Sequence, residues 1–290
     1  MIYRGGLADS SRWQSVRLRP GDIVISVPSK CGTSWMQMIC ALLIFRTPAL
    51  PAPLTTLSPW VDMRLRPIEE VVERLEAQPH RRFLKTHTPL DGLPAADGVT
   101  CLVVGRDPRD VALSMDHHRS NLDNDVLSSL FAAGGEELRP ADRPADQRER
   151  LLRWIRGEGM DTLRGMIHHL GQAWERRDDP GVVLMHYANL SHDLDGEMRR
   201  LAGRLGITVD EAGWPELVEA ASFGAMRDRA GELAPHERLG LFHNEQAFFR
   251  SGGTGEWRAF LTEDDVADYD ERVRALAPSG EFVAWLHGGS

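Results

Sequence analysis

Cysteine is scarce. Cys31, Cys40 and Cys101 are the only three in 290 residues, an odd number with no CxxC or Cys/His spacing. That argues against a disulfide framework or a zinc site and favours a reducing compartment. Long apolar runs are missing too. The longest, around residues 36–45, is too short to cross a bilayer. Residues 1–20 are polar and carry several arginines, unlike a secretory leader, so the expected location is the cytoplasm. Positive charge is in deficit, with 34 Lys and Arg against 43 Asp and Glu, a formal net charge of −9. This argues against a general binder of nucleic acid or anionic membranes. An anionic ligand would need a local concentration of basic residues. There is no internal repeat and no clear linker.

What is present is enough for a sizeable core: 42% of residues are hydrophobic and 27% charged, so wholesale disorder is not expected. Short apolar runs at 22–27, 82–86, 100–105 and 181–187 read as strands. Between and after them lie helical patterns at 33–45, 67–77, 108–117, 153–177 (with a break near 157–159) and 193–205. Strands apolar on both sides, alternating with helices, predict an α/β fold: a central parallel sheet with helices on both faces. Residues 48–59 are proline-rich and predict a loop. Residues 119–150 are polar, with glycine pairs and prolines, and read as a flexible lid or surface insertion. From 212 onward the chain reads as mainly helical.

The first strand runs into PSKCGTSW at 28–35. Strand, glycine turn and helix N-terminus together make an anion site, because backbone N–H groups converge there and the helix dipole favours negative charge. Gly32 allows close backbone approach, Thr33 and Ser34 offer hydroxyls, and Lys30 adds a cation. The lysine precedes the only glycine, so this is not a Walker A loop. Taken alone, the turn is equally well a ligand-free polar connection. The second strand runs into KTHTP at 85–89. A histidine at the carboxyl end of a parallel strand lies where open α/β sheets bind ligands, and its near-neutral pKa suits removal of a hydroxyl proton. His87 is one of 11 histidines, though, and by position alone could be a packed or surface residue. The third strand runs into RDPRDVALS at 106–114. There an arginine can fork onto a phosphate, or pair with Asp107 or Asp110 in a salt-bridged turn.

These segments resemble cytosolic-type sulfotransferases, which use 3′-phosphoadenosine 5′-phosphosulfate (PAPS) as donor. PSKCGTSW is similar to the family's phosphosulfate loop, Pro-Lys-Ser-Gly-Thr-Thr-Trp, with Cys31 and Ser34 replacing its serine and second threonine. The resemblance implies that Lys30, Cys31, Gly32, Thr33 and Ser34 hold the 5′ end of the donor and that Trp35 stacks on adenine. It further implies that His87 is the general base, with Lys85 neutralising sulfuryl oxygens. RDPRDVALS is similar to the 3′-phosphate signature, giving Arg106 and Ser114 that role and leaving Asp110 to hold the turn. FFRSGGTGEW at 248–257 resembles the closing segment. Phe249, Arg250, Ser251 (where lysine is usual) and Gly252 would cover the 3′-phosphate. Tyr187, Ser222 and Phe223 fall where the family contacts adenine.

The match spans nearly the whole chain and implies one sulfotransferase domain over 1–290. It is nearest to bacterial glycolipid sulfotransferases of the mycobacterial type. The expected acceptor is therefore a hydrophobic or lipid-linked hydroxyl compound, with Phe45, Trp60, Met115, His117 and His118 as pocket candidates. PAP is the expected product, and no metal is expected. His168 and His169 read as solvated or packed helix residues. A P-loop kinase and a catalytically silent nucleotide-binding protein are the competing readings. The family's dimer motif is not recognisable in RAFLTEDD at 258–265, so oligomeric state is open.

Overall fold

Four short apolar runs become four strands: β1 (Ile23–Ser26), β2 (Phe83–Thr86), β3 (Thr100–Gly105) and β4 (Val182–His186). The computed structural model describes residues 1–133, 143–233, 240–244, 246–249 and 252–289. All strands pair in parallel in the order β2-β1-β3-β4. Ser26 sits opposite Thr86 and Gly105 opposite His186, so the carboxyl ends form one edge. Successive side chains of a strand point to opposite faces. Val24 and Leu84 accordingly pack with Trp13, Val71 and Leu75. Ile23, Ile25 and Phe83 join the larger core with Met36, Ile39 and Leu43. Both faces of the sheet are thus covered, as expected for a parallel sheet in a single α/β domain. At the opposite edge, buried Arg82 forks onto buried Asp22 and ties the starts of β1 and β2 together.

The helix α1 (Thr33–Phe45) follows β1 directly. Its sequence suggested one apolar face through Trp35, Met38, Ile39 and Leu42. In the fold every residue from Thr33 to Leu43 is buried. The sheet lies on one side, and the helices Leu54–Leu57 and Trp214–Ala221 also pack against it. Its near-continuous apolar composition fits a core helix better than a surface one.

The stretch expected as a proline-rich loop holds one helical turn, Leu54–Leu57. Just beyond it, Trp60 forms a parallel bridge to Lys85 of β2. The helix beginning at Pro108 continues to Asn121, past its expected end. Within 119–150 follow the helices Asn124–Ala133 and Gln147–Arg156. Buried Asp116 gathers Arg143 at 2.6 Å, Arg150 at 2.7 Å and Gln147 at 3.2 Å. The anticipated break near 157–159 separates Gln147–Arg156 from Leu163–Glu175. The C-terminal part is mainly helical, ending in Glu263–Leu276 and Gly280–Gly288. Among the described residues, no helix is long and apolar enough to cross a membrane.

Candidate active site

With β2 on one side of β1 and β3 on the other, the chain reverses its direction of winding at the carboxyl end of β1. Open α/β sheets bind ligands at such a crevice. A cavity of about 310 Å³ opens there, lined by a residue following each strand: Lys30, His87, Arg106 and Tyr187. The turn after β1 places Gly32 at the N-cap of α1 with φ 100°, and no side chain caps the helix. The first N–H groups of the helix therefore keep their donors available to a ligand. Lys30 is itself left-handed, at φ 67°. Such strain costs about 1–3 kcal/mol and persists where surrounding contacts enforce it. Here the Arg106 guanidinium donates to the Lys30 carbonyl at 3.0 Å.

The cations are crowded. Burial, then repulsion from Arg106 and Lys85, pulls the Lys30 ammonium down to about 7. Burial lowers Lys85 to about 8, opposed by the Asp62 carboxylate. Each ammonium lies over an aromatic face: Lys30 is 4.3 Å from the Phe248 ring centre, and Lys85 is 4.0 Å from that of Trp60. Arg106 also donates to the Gly253 carbonyl at 3.2 Å and stacks 4.1 Å over Tyr187. Its Nε is buried without a partner among the described residues, as is Thr33 Oγ1. Repelling cations, unpaired buried donors and an uncapped helix start are all relieved by one polyanion.

His87 lies beside this cluster. Its Nδ1 is 2.6 Å from the Val27 carbonyl, which can only accept, so Nδ1 carries the proton and Nε2 carries the lone pair. The ring stands edge-on to Trp60 at 4.8 Å. Burial, reinforced by Lys85, pushes His87 down to about 3, so the imidazole is neutral at physiological pH.

The "Sulfotransferase domain" family matches residues 20–282. The chain belongs to the sulfotransferase family. It is 42% identical over 310 residues to a glycolipid sulfotransferase of Mycobacterium bovis, covering 100% of this chain and 94% of that protein. It is 25% identical over 278 residues to Sulfotransferase 1B1 of Mus musculus, covering 93% and 87%. In fold, it resembles the crystal structure of mouse sulfotransferase SULT7A1 complexed with PAP. The TM-score is 0.74 at 21% identity, over 95% of this chain and 90% of that one.

In the sulfotransferase, the cavity brings together most of the residues singled out from sequence. Lys30, Gly32, Thr33, Ser34, Trp35, Lys85, His87, Arg106, Ser114, Tyr187, Phe223, Phe249 and Gly252 line it. So do Trp60, Met115, His117 and His118 on the expected acceptor side. Trp35 donates from its indole to the Ala221 carbonyl at 2.8 Å and meets Tyr187 edge-on. Asp107 caps the turn by accepting from Arg109 N–H at 2.9 Å, whereas both oxygens of Asp110 accept from Gly255 N–H, at 2.8 and 3.0 Å. Arg109 pairs with Asp107 at 2.7 Å and stacks 4.1 Å over Trp257. The segment at 106–110 thereby docks the segment at 252–257.

Three expectations need correction. Phe45 lies at the far end of α1, about 18 Å of helix rise from Thr33, and packs on His80 at 4.9 Å. It does not line the cavity. Cys31 turns into the core: it is fully buried, its thiol is pushed up to about 12 by burial, and its N–H is spent on the Pro28 carbonyl. Ser222 caps the helix Phe223–Asp228 by accepting from Ala225 N–H, and it does not reach the cavity. Arg250 and Ser251 lie outside the described residues.

Sequence reasoning passed over Asp62, Phe248 and the N-terminal residues Tyr3, Leu7 and Ala8, all of which line the cavity. Phe248 belongs to the segment already singled out, and Asp62 follows Trp60 by two residues. The N-terminal residues carry no sequence signal; they reach the site through tertiary packing, with Tyr3 Oη bonded to Asp91 and to His168 Nε2, each at 2.8 Å. His168 is thereby tied down. His169 is buried, with Nε2 2.8 Å from Ser26 Oγ, and also lines the cavity. Among the described residues no group of three or more His, Cys, Asp or Glu side chains is placed to hold a metal ion.

Proposed function

We propose that this sulfotransferase transfers the sulfuryl group of PAPS to a hydroxyl of a lipid-linked sugar or similar amphipathic acceptor, with His87 as general base. The observation that carries the reading is the fixed tautomer of His87 beside Lys30 and Lys85 in one cavity. The 5′ end of PAPS would lie on the N–H groups at the start of α1, with Thr33 and Ser34 beside it. Arg106 and Ser114 would take the 3′-phosphate, with Arg250 and Gly252 closing over it. Trp35, Tyr187 and Phe223 would hold the adenine. A charge-assisted hydrogen bond contributes roughly 1.5–3 kcal/mol. Several of them outweigh the repulsion of a net −9 chain, which salt screens beyond about 8–10 Å.

In the reaction the acceptor oxygen attacks sulfur in line. Its proton goes to Nε2 of His87 as the S–O bond to the leaving phosphate breaks, releasing PAP. Lys30 offsets charge on that phosphate, and Lys85 does so on the sulfuryl oxygens. The acceptor assignment rests on the mixed character of the outer cavity, where Leu7, Met115 and Phe242 lie among Tyr3, His117 and Asp161, and on the name of the mycobacterial relative. Arg119, Asn121 and Leu122, at the start of the segment 119–150, complete that wall, and we assign these three residues to covering the acceptor. The free state of all three cysteines supports a cytoplasmic location.

Thermal melting with PAP, ATP and NAD tests the donor class. PAP should raise the melting temperature selectively, by linkage. An equal response to ATP would favour a kinase, and no response to PAP would overturn the reading.

A further inference from the structure

Asp62 is a buried carboxylate that the proposed chemistry does not use. It is fully inaccessible as a residue, yet it borders the cavity. Its Oδ2 accepts from Thr86 Oγ1 at 2.7 Å, Thr88 Oγ1 at 2.7 Å and His87 N–H at 3.2 Å. The direction of the bonds from Thr86 and His87 is fixed. Thr86 Oγ1 already accepts from the Trp13 indole at 3.3 Å and from Thr88 N–H at 2.9 Å, so its own proton goes to Asp62. Oδ2 therefore accepts from Thr86 Oγ1 and His87 N–H, and as a carboxylate it accepts from Thr88 Oγ1 as well. Oδ1 is buried with no partner among the described residues. Burial pushes the Asp62 carboxyl above the usual carboxylate range, and the donors from Thr86, Thr88 and His87 oppose that rise, while a proton on Oδ1 would find no acceptor among the described residues.

The placement of Asp62 follows from the edge of the sheet. Lys85 N–H donates to the Pro59 carbonyl at 3.0 Å, and Val61 N–H donates to the Lys85 carbonyl at 3.1 Å. This laces residues 59–61 along β2 and sets Asp62 against the Thr86–Thr88 backbone. The charged and titratable groups around it come from four elements. Lys85 and His87 belong to β2 and its exit. Arg12, from the 3₁₀ turn Ser10–Ser15, donates to the Val61 carbonyl at 2.9 Å. Asp9, the N-cap of that turn, donates its N–H to the Asp62 carbonyl at 2.8 Å and pairs with Arg4 at 3.1 Å, while Lys30, in the turn before α1, and His169, on Leu163–Glu175, line the same cavity.

We infer that Asp62 is a positioning residue for sulfuryl transfer, locking the His87 segment through Oδ2 and setting its carboxylate against the end of β2 that carries Lys85. The inference rests on the roles proposed above for His87 and Lys85. Burial drives Lys85 toward its neutral form, and Asp62 is what opposes that fall. A purely structural carboxylate would influence folding but not the titration of the lysine.

The test is the pH profile of kcat/KM for PAPS, which reports groups of the free enzyme. Asp62→Asn keeps an acceptor oxygen and removes the charge. Lys30, at about 7, sets the first step of the alkaline limb, and the second step, that of Lys85 at about 8, should move down by about one pH unit or more, steepening the limb and lowering kcat/KM near pH 8 by roughly fivefold to tenfold. Thr88→Val removes one hydrogen bond and keeps the charge, so it should lower melting and leave the limb in place. If Asp62→Asn does not fold, the rate of Lys85 acetylation in the wild-type protein, followed by peptide mass spectrometry across pH, decides. A midpoint at about 8 supports the inference, and one resembling that of a lysine buried with no counter-charge, well below 8, overturns it. An unmoved limb in Asp62→Asn, with His87→Ala inactive, sinks this inference alone. Full turnover by His87→Ala sinks the functional reading instead.

Discussion

Replacing Gly32 by alanine tests whether the turn after β1 is a cradle or merely a connection. The residue sits at φ 100° and ψ 25°. Left-handed backbone costs an L-residue about 1–2 kcal/mol. The new Cβ would also lie 3.2 Å from Tyr187 Cδ2, a tight contact. Tyr187 has little room to yield. It meets Trp35 at 5.1 Å, carries Arg106 at 4.1 Å over its ring, and donates from its hydroxyl to the Gly252 carbonyl at 3.3 Å. The combined penalty is about 2 kcal/mol. For a chain of 290 residues the unfolding entropy is roughly 0.6 kcal/mol per degree, so melting should fall by about 3 °C. PAP affinity, measured by titration calorimetry, should fall roughly tenfold or more, because displaced N–H groups forfeit charge-assisted bonds. Gly203→Ala is the control. It lies in the last turn of the helix Leu194–Leu205 with nothing within 4 Å of the new Cβ, and should raise stability by about 0.5 kcal/mol. Wild-type PAP affinity in Gly32→Ala would refute the cradle.

Three further outcomes are expected. Arg106→Ala removes the fork facing Lys30 and Gly253 and should weaken PAP by about 1.5–3 kcal/mol, roughly tenfold to hundredfold, as read by calorimetry. Near pH 8, where Lys30 (about 7) and Lys85 (about 8) are partly neutral, PAP binding should take up protons, because the anion raises both lysines. Binding heats that do not change between buffers of different ionisation enthalpy would contradict this. Phe45→Ala should leave the acceptor KM unchanged and cost about 1–3 kcal/mol of stability in chemical denaturation, since its ring packs on His80 away from the cavity.

Much of the site was legible because chemistry was concentrated where short apolar runs end. Lys30, His87, Arg106 and Tyr187 each follow a strand, and parallel pairing brings those ends to one edge. The strand order was not legible. Strands apolar on both faces carry no mark of their neighbours. Phe45 was misplaced because helix rise, not sequence proximity, sets its distance from the loop. Cys31 and Ser222 stand inside motif segments whose backbone matters more than those side chains, so one turns into the core and the other caps a helix. Asp62 was invisible for the opposite reason: its partners are some 24–26 residues away, and only the lacing of 59–61 along β2 brings it to His87. The salt-bridged alternative for the 106–110 turn proved true of Arg109 and Asp107, which left Arg106 free to face the cavity.

The most direct measurement is transfer of label from radiolabelled PAPS to a lipid-linked sugar, compared between wild type and His87→Ala, with PAP-induced thermal stabilisation recorded on both. The account predicts label transfer by the wild type, a loss of about a hundredfold or more in the variant, and an undiminished PAP shift in each. Comparable transfer by the variant, or no stabilisation of the wild type by PAP, would contradict it.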